Sequence, residues 1–103
     1  MSRTQFQPKL VGETVNTVFD FVVRLGIAET ISTATTVATV YSGVDTTPAN
    51  LVNGAASISG TQVTQSIKGG VAGVVYQVMC TIVTPSGLTF QLFGLLAVES
   101  GAV

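Results

Sequence analysis

The stretch Ile67–Gly87, IKGGVAGVVYQVMCTIVTPSG, decides the fold. From Val74 to Val83 it alternates with a period of two, with Val74, Tyr76, Val78, Cys80 and Ile82 on one side and Val75, Gln77, Met79, Thr81 and Val83 on the other. A helix would bring apolar residues together at spacings of three and four, whereas alternation marks a strand, here the best candidate for a central one. Before it, Lys68–Gly73 (KGGVAG) reads as a corner in which Gly69, Gly70 and Gly73, lacking Cβ, take positive φ without steric cost. After it, Thr84–Gly87 (TPSG) reads as a turn, with Pro85 fixing φ early and Gly87 free to adopt a positive value. The natural inference is a hairpin into a final strand, Leu88–Val98.

Working outward, the final strand places Leu88, Phe90, Leu92, Leu96 and Val98 on one side, yet Phe93, Leu95 and Ala97 make its other side apolar as well. Something must cover that second face, either a loop of the same domain or a neighbouring subunit. Upstream, Thr14–Val23 collects Val15, Thr17, Phe19, Phe21 and Val23 on one face, the pattern of a strand with one core side. Arg24–Glu29 (RLGIAE) reads as a turn. Thr30–Tyr41 is dense in β-branched residues and reads as a strand, with two registers open: Ala34, Thr36, Ala38 and Val40 on one side against Thr35, Val37 and Tyr41 on the other. Ser42–Gly54 gathers Gly, Pro, Asp and Asn, as a loop does. Short strands are expected at Ala55–Ser59 and Thr61–Ile67, joined by Gly60, with Val63 and Ile67 inward and Gln65 between them on the same face. About seven strands, with turn signals roughly every ten residues, suit an all-β, immunoglobulin-like antiparallel β-sandwich. The expected division is an extended N-terminal arm over residues 1–10 and a single sandwich domain over 11–103.

Composition narrows the function. The chain has 103 residues, nine of them charged, with no His, no Trp and one Cys. Catalysis at neutral pH draws on histidine, paired carboxylates, an activated thiol or a metal, and this chain offers almost none of them, so it is not expected to be an enzyme. The acids Glu13, Asp20, Glu29, Asp45 and Glu99 are too dispersed in sequence to mark a carboxylate pair or a metal cage, and no cofactor is expected. Cys80 has no histidine to activate it and reads as an inert core thiol. The basic residues Arg3, Lys9, Arg24 and Lys68 are scattered, which argues against nucleic acid as a partner. No apolar run reaches the length of a membrane span, and Met1–Lys9 lacks the apolar core of a secretory signal, so no membrane partner is expected either. A charged fraction of 9% is far below the roughly 25% of ordinary soluble domains. Either Thr and Ser hydroxyls solvate the outer sheet faces, or partner subunits cover much of the surface.

The remaining candidate residues are structural or interfacial. A glycine-rich corner could cradle phosphate, but KGGVAG lacks the spacing of either phosphate-binding motif, and no helix pattern follows it. Tyr76 opens a late strand just after this corner, where immunoglobulin-like folds place a tyrosine whose hydroxyl bonds backbone. Gly69, Gly70, Gly73, Tyr76, Pro85 and Gly87 are therefore read as structural. Phe6 is a single anchor within the polar arm SRTQFQPK, which is expected to lie on a neighbour rather than in its own core. Phe6, Phe93 and Leu95 are the candidate partner contacts.

The runs GETVNTVFDF (Gly12–Phe21), AETISTATTVATV (Ala28–Val40) and Ile67–Gly87, with the closing apolar strand, resemble small virion proteins of tailed bacteriophages, the fibre-tail adaptor-like family with an immunoglobulin-like sandwich. The most specific piece is the strand, the Gly-Gly-x-Ala-Gly corner and the Tyr-containing strand in that order. Thr36 and Ala38, standing where Val is expected, and Gln65, standing where an apolar residue is expected, depart from the pattern. The resemblance implies a non-enzymatic structural protein made in the bacterial host cytoplasm and built into the virion in multiple copies. Its partners would be other virion proteins of the tail, neck, fibre or capsid, and further copies of itself. An adaptor joining tail or neck to fibres is the main expectation. The alternatives are a capsid decoration protein and a host-surface or carbohydrate-binding module, the last disfavoured by the absence of Trp and the presence of only Tyr41 and Tyr76.

Overall fold

The alternating segments fold as strands. The computed structural model describes residues 4–25 and 29–100. In chain order these hold β1 (Thr4–Gln5), β2 (Lys9–Leu10), β3 (Thr14–Asp20), β4 (Thr33–Ser42), a 3-10 turn η1 (Pro48–Leu51), β5 (Ser57–Ser59), β6 (Gln62–Lys68), β7 (Val75–Val83) and β8 (Thr89–Glu99). One sheet runs β4–β7–β8, antiparallel, with β1 and β2 added in parallel along the free edge of β8. The other runs β3–β6–β5, also antiparallel. Met1–Arg3 of the expected arm and Gly26–Ala28 of the expected turn lie outside the described residues.

The two sheets close on one apolar core, as period-two strands with a single apolar face require. Phe19, Val63 and Ile67 face it from the smaller sheet, and Ala38, Tyr76, Val78, Cys80, Ile82, Leu96 and Val98 from the larger. As its alternation requires, β7 lies between β4 and β8. The register left open for β4 resolves in favour of Ala34, Thr36, Ala38 and Val40 inward, opposite Ile82, Cys80, Val78 and Tyr76. Small residues suit this side because the facing strand fills the space with Tyr76 and Ile82. Gln65 keeps its inward position because its Nε2 donates to the carbonyls of Gly54 and Ser66 at 3.1 and 3.0 Å. A buried amide is tolerated where acceptors meet it.

Three expectations are corrected. Strand β3 stops at Asp20, whose carboxylate accepts the Val22 N–H, and the N–H groups of Arg24 and Leu25 both bond Phe21 O. This turn throws Val23 outward to 90% exposure and buries Leu25 instead. Leu88 belongs to the β7–β8 turn and is exposed, the strand beginning at Thr89. The arm does not lie away from its own domain: Thr4, Gln5, Lys9 and Leu10 pair with β8, the N–H of Phe6 bonds Leu95 O, and the Phe6 ring meets Phe19 edge-on with 5.6 Å between ring centroids. The edge of β8 offers unpaired backbone groups, and an extended segment of the same chain is the nearest strand that can satisfy them.

Candidate interaction surface

At one end of the sandwich a polar network ties three connections together. The Tyr76 hydroxyl accepts the N–H of Val71 at 2.8 Å and donates to Asp45 Oδ2 at 2.7 Å, linking the glycine corner to the loop after β4. Burial first, and then the neighbouring carboxylate, raises the Tyr76 pKa. The same hydroxyl, followed by the Thr47 N–H, holds Asp45 below its ordinary value. Gly70 has φ +96°, and a Cβ there would lie 2.9 Å from Val98 Cγ2 and 3.0 Å from Leu51 Cδ1. Glycine is required at that point by both backbone and packing. Lys9, only 1% exposed, donates from Nζ to the carbonyls of Leu10 (2.7 Å), Val11 (3.2 Å) and Gly69 (2.7 Å), fastening the N-terminal segment to the glycine corner. Burial pulls its pKa down, with Glu13 opposing.

Cross-strand partners share a face, so the register defines the outer side of the larger sheet residue by residue. Val37, Met79 and Phe93 form one row across β4, β7 and β8; Thr39, Gln77 and Leu95 form the next, and Thr35, Thr81 and Gln91 the row on the other side. Every one of these nine residues is uncharged. Gln91 Nε2 donates to Thr81 Oγ1 at 3.0 Å, so part of this face is held by its own side chains. The charges sit elsewhere, on the turns and strand ends: Glu13, Asp20, Arg24, Glu29, Asp45, Lys68 and Glu99. The outer face is thus an apolar stripe bordered by hydroxyls and amides, which can bury against a partner without desolvating an ion.

The residues expected to meet partners fall out differently. Leu95, on the outer side, is 6% exposed and lies beside the N-terminal segment at Gln5, so the chain itself covers the second apolar face of β8 there. Phe6 packs on its own core. Phe93 is half-buried in the central row of the outer face and is the one of the three with free surface there. Pro85 and Gly87 form the β7–β8 turn, Gly87 at φ +93° with its N–H on Thr84 O at 3.0 Å. Gly69 and Gly73 take φ +64° and +86° in the corner. Sequence reasoning missed Lys9, Asp45 and Leu51, because each acts through a contact distant in sequence and belongs to no local pattern. Cys80 is fully buried and its pKa is pushed up to about 11 by burial, the Thr36 hydroxyl opposing weakly. Among the described residues no cluster of His, Cys, Asp and Glu could hold a metal ion, and no helix is long and apolar enough to cross a membrane.

A family model described as podophage GP4 fiber-tail adaptor protein gp77 matches residues 9–93, from the Lys9 anchor to Phe93 on the outer face. No curated protein matches the chain. The match supports a structural adaptor and lends nothing to capsid decoration. With most of both sheets inside the matched span, the chain belongs to the podophage GP4 fiber-tail adaptor family.

Proposed function

We propose that this protein is a non-enzymatic virion component that joins the tail or neck of a podophage to its fibres. The family match over residues 9–93 carries this reading. The uncharged outer face supports it, because a surface of Thr, Gln and apolar residues suits permanent burial against another protein better than life in free solution. Phe93 is the aromatic centre of that face, and the partners are tail and fibre proteins, contacted through it. The strand order, with β3–β6–β5 in one sheet, β4–β7–β8 in the other and the first strand beside the last, favours an immunoglobulin-like sandwich. The protein is made in the host cytoplasm, enters the particle in multiple copies and needs neither cofactor, nucleic acid nor membrane.

The test is quantitative mass spectrometry of purified particles. A few moles of this chain per hundred moles of major capsid protein are expected for a tail or neck adaptor. Near-equal amounts would instead assign it to the capsid surface, and absence from the particle would end the virion reading.

A further inference from the structure

We propose that β4 is a self-pairing edge, through which two copies of this chain join β4 to β4, antiparallel, with Thr36 of one copy opposite Thr36 of the other. Strand β4 is hydrogen-bonded on one side only, to β7, and ends the order of its sheet. Among the described residues no backbone group outside β7 bonds residues 33–39. An unpaired strand edge is a template for another strand, and proteins that must avoid pairing blunt it with charge, proline, a bulge or a short length. Of the other edges, β5 has three residues, β8 is covered by β1 and β2, and β3 is shorter than β4 at seven residues and closes on the charge of Asp20. Strand β4 is ten residues long, TATTVATVYS, with no charge and no proline, and its register shift comes only between Val40 and Ser42.

The occupant follows from the sequence of the edge itself. Antiparallel pairing centred on Thr36 sets Thr33 opposite Thr39 and Thr35 opposite Val37 on the outer side, and Ala34 opposite Ala38 on the inner side. No like charges meet, and threonine pairs with threonine or a β-branched partner, combinations that favour cross-strand contact. Thr36 Oγ1 is also, among the described residues, the buried side-chain polar atom without a hydrogen-bond partner. The Cys80 thiol opposite it within the chain feels the hydroxyl but does not meet hydrogen-bond geometry. Directly opposed residues have Cβ atoms roughly 4.5–5.5 Å apart, close enough for the two Thr36 hydroxyls to bond once a χ1 rotation turns them from the buried position beside Cys80 toward the edge. The pairing also makes the two uncharged outer faces one continuous surface, since opposed residues point to the same side.

The experiment compares the full chain with two charge variants, Thr35→Lys/Val37→Lys and Thr35→Glu/Val37→Glu, by light scattering on size exclusion over a concentration series. Both positions face solvent, so each variant keeps the wild-type circular dichroism melt. Wild type is expected to dimerise with concentration, each variant to remain monomeric, and an equimolar mixture of the two to regain the dimer. Thr36→Val, which keeps the shape and removes the hydroxyls, should raise the dimer Kd about tenfold. Wild type that stays monomeric at every soluble concentration overturns the proposal. Variants that dimerise like wild type, or a mixture that stays monomeric while wild type pairs, overturn it equally, the latter by excluding the Thr35–Val37 register.

Discussion

At Gly70 an added methyl would meet Val98 and Leu51 at 3.0 Å or less, on a backbone whose φ of +96° already disfavours any side chain. Gly69, next to it at φ +64°, faces open space. Gly69→Ala should therefore cost about 1–2 kcal/mol for the left-handed backbone alone, and Gly70→Ala distinctly more, read as the difference between their urea midpoints. Tyr76 poses a similar question of local cause. Tyr76→Phe leaves the Val71 N–H without its acceptor and should cost about 1–3 kcal/mol, or roughly 4–8 °C in Tm per kcal/mol for a domain of this size. Its effect also depends on pH. Asp45 is held below its ordinary 3.8 first by the Tyr76 hydroxyl. A depressed carboxylate contributes stability that is fully present above its unfolded pKa and lost as pH falls through the folded one. Wild-type Tm should thus drop on acidification below about pH 4, and Tyr76→Phe or Asp45→Asn should flatten that drop. Asp20, depressed chiefly by the Val22 N–H, keeps its own share in either variant. An acid limb as steep in both variants as in wild type would remove Asp45 from the account.

At the level of strands, the segment 4–10 is held by four parallel ladder positions and one buried ammonium. Lys9→Met would leave the carbonyls of Leu10, Val11 and Gly69 without that donor. Amide exchange at Phe6 and Val11, whose N–H groups bond Leu95 O and Glu99 O, should accelerate about tenfold, the equivalent of about 1.4 kcal/mol. Amides in β6 should not change, because that strand lies in the other sheet. Uniform acceleration would mean that Lys9 supports the whole sandwich rather than its own segment. Strands were also where sequence spoke most clearly. The alternation of Val74–Val83 marks both the element and its central place, because one face is fully buried and the other half-buried, and period two is the mark of such a strand. The segment 4–10 was illegible for the opposite reason. Two strands of two residues have no period, and nothing in SRTQFQPK announces that Lys9 will reach Gly69 across 60 positions. The end of β3 at Asp20 is hidden in the sequence because Val22 and Val23, β-branched residues in a turn, read like further strand positions.

For the molecule as a whole, the buried thiol of Cys80 offers a reporter. It sits mid-core between the sheets, and a pKa near 11 keeps it protonated at neutral pH. A thiol reagent at pH 7–8 should leave the native protein unmodified and label one group per chain after unfolding, at a rate that follows global opening. Rapid labelling in native buffer would show a core that opens far more often than its packing implies. Of the candidate surface, the sequence revealed that charge was scarce but not where it went. Only the strand register shows that the charges retreat to turns and strand ends, leaving one broad face neutral. The parallel run of β1 and β2 along β8 has one more consequence. The described chain starts beside the middle of β8 and leaves from its far end, so a pull that separates the two ends slides these strands lengthwise past each other. In that geometry the ladder bonds bear tension together instead of parting one after another as in a zipper. A domain about 48 Å long is thereby clamped against a load applied between its two ends.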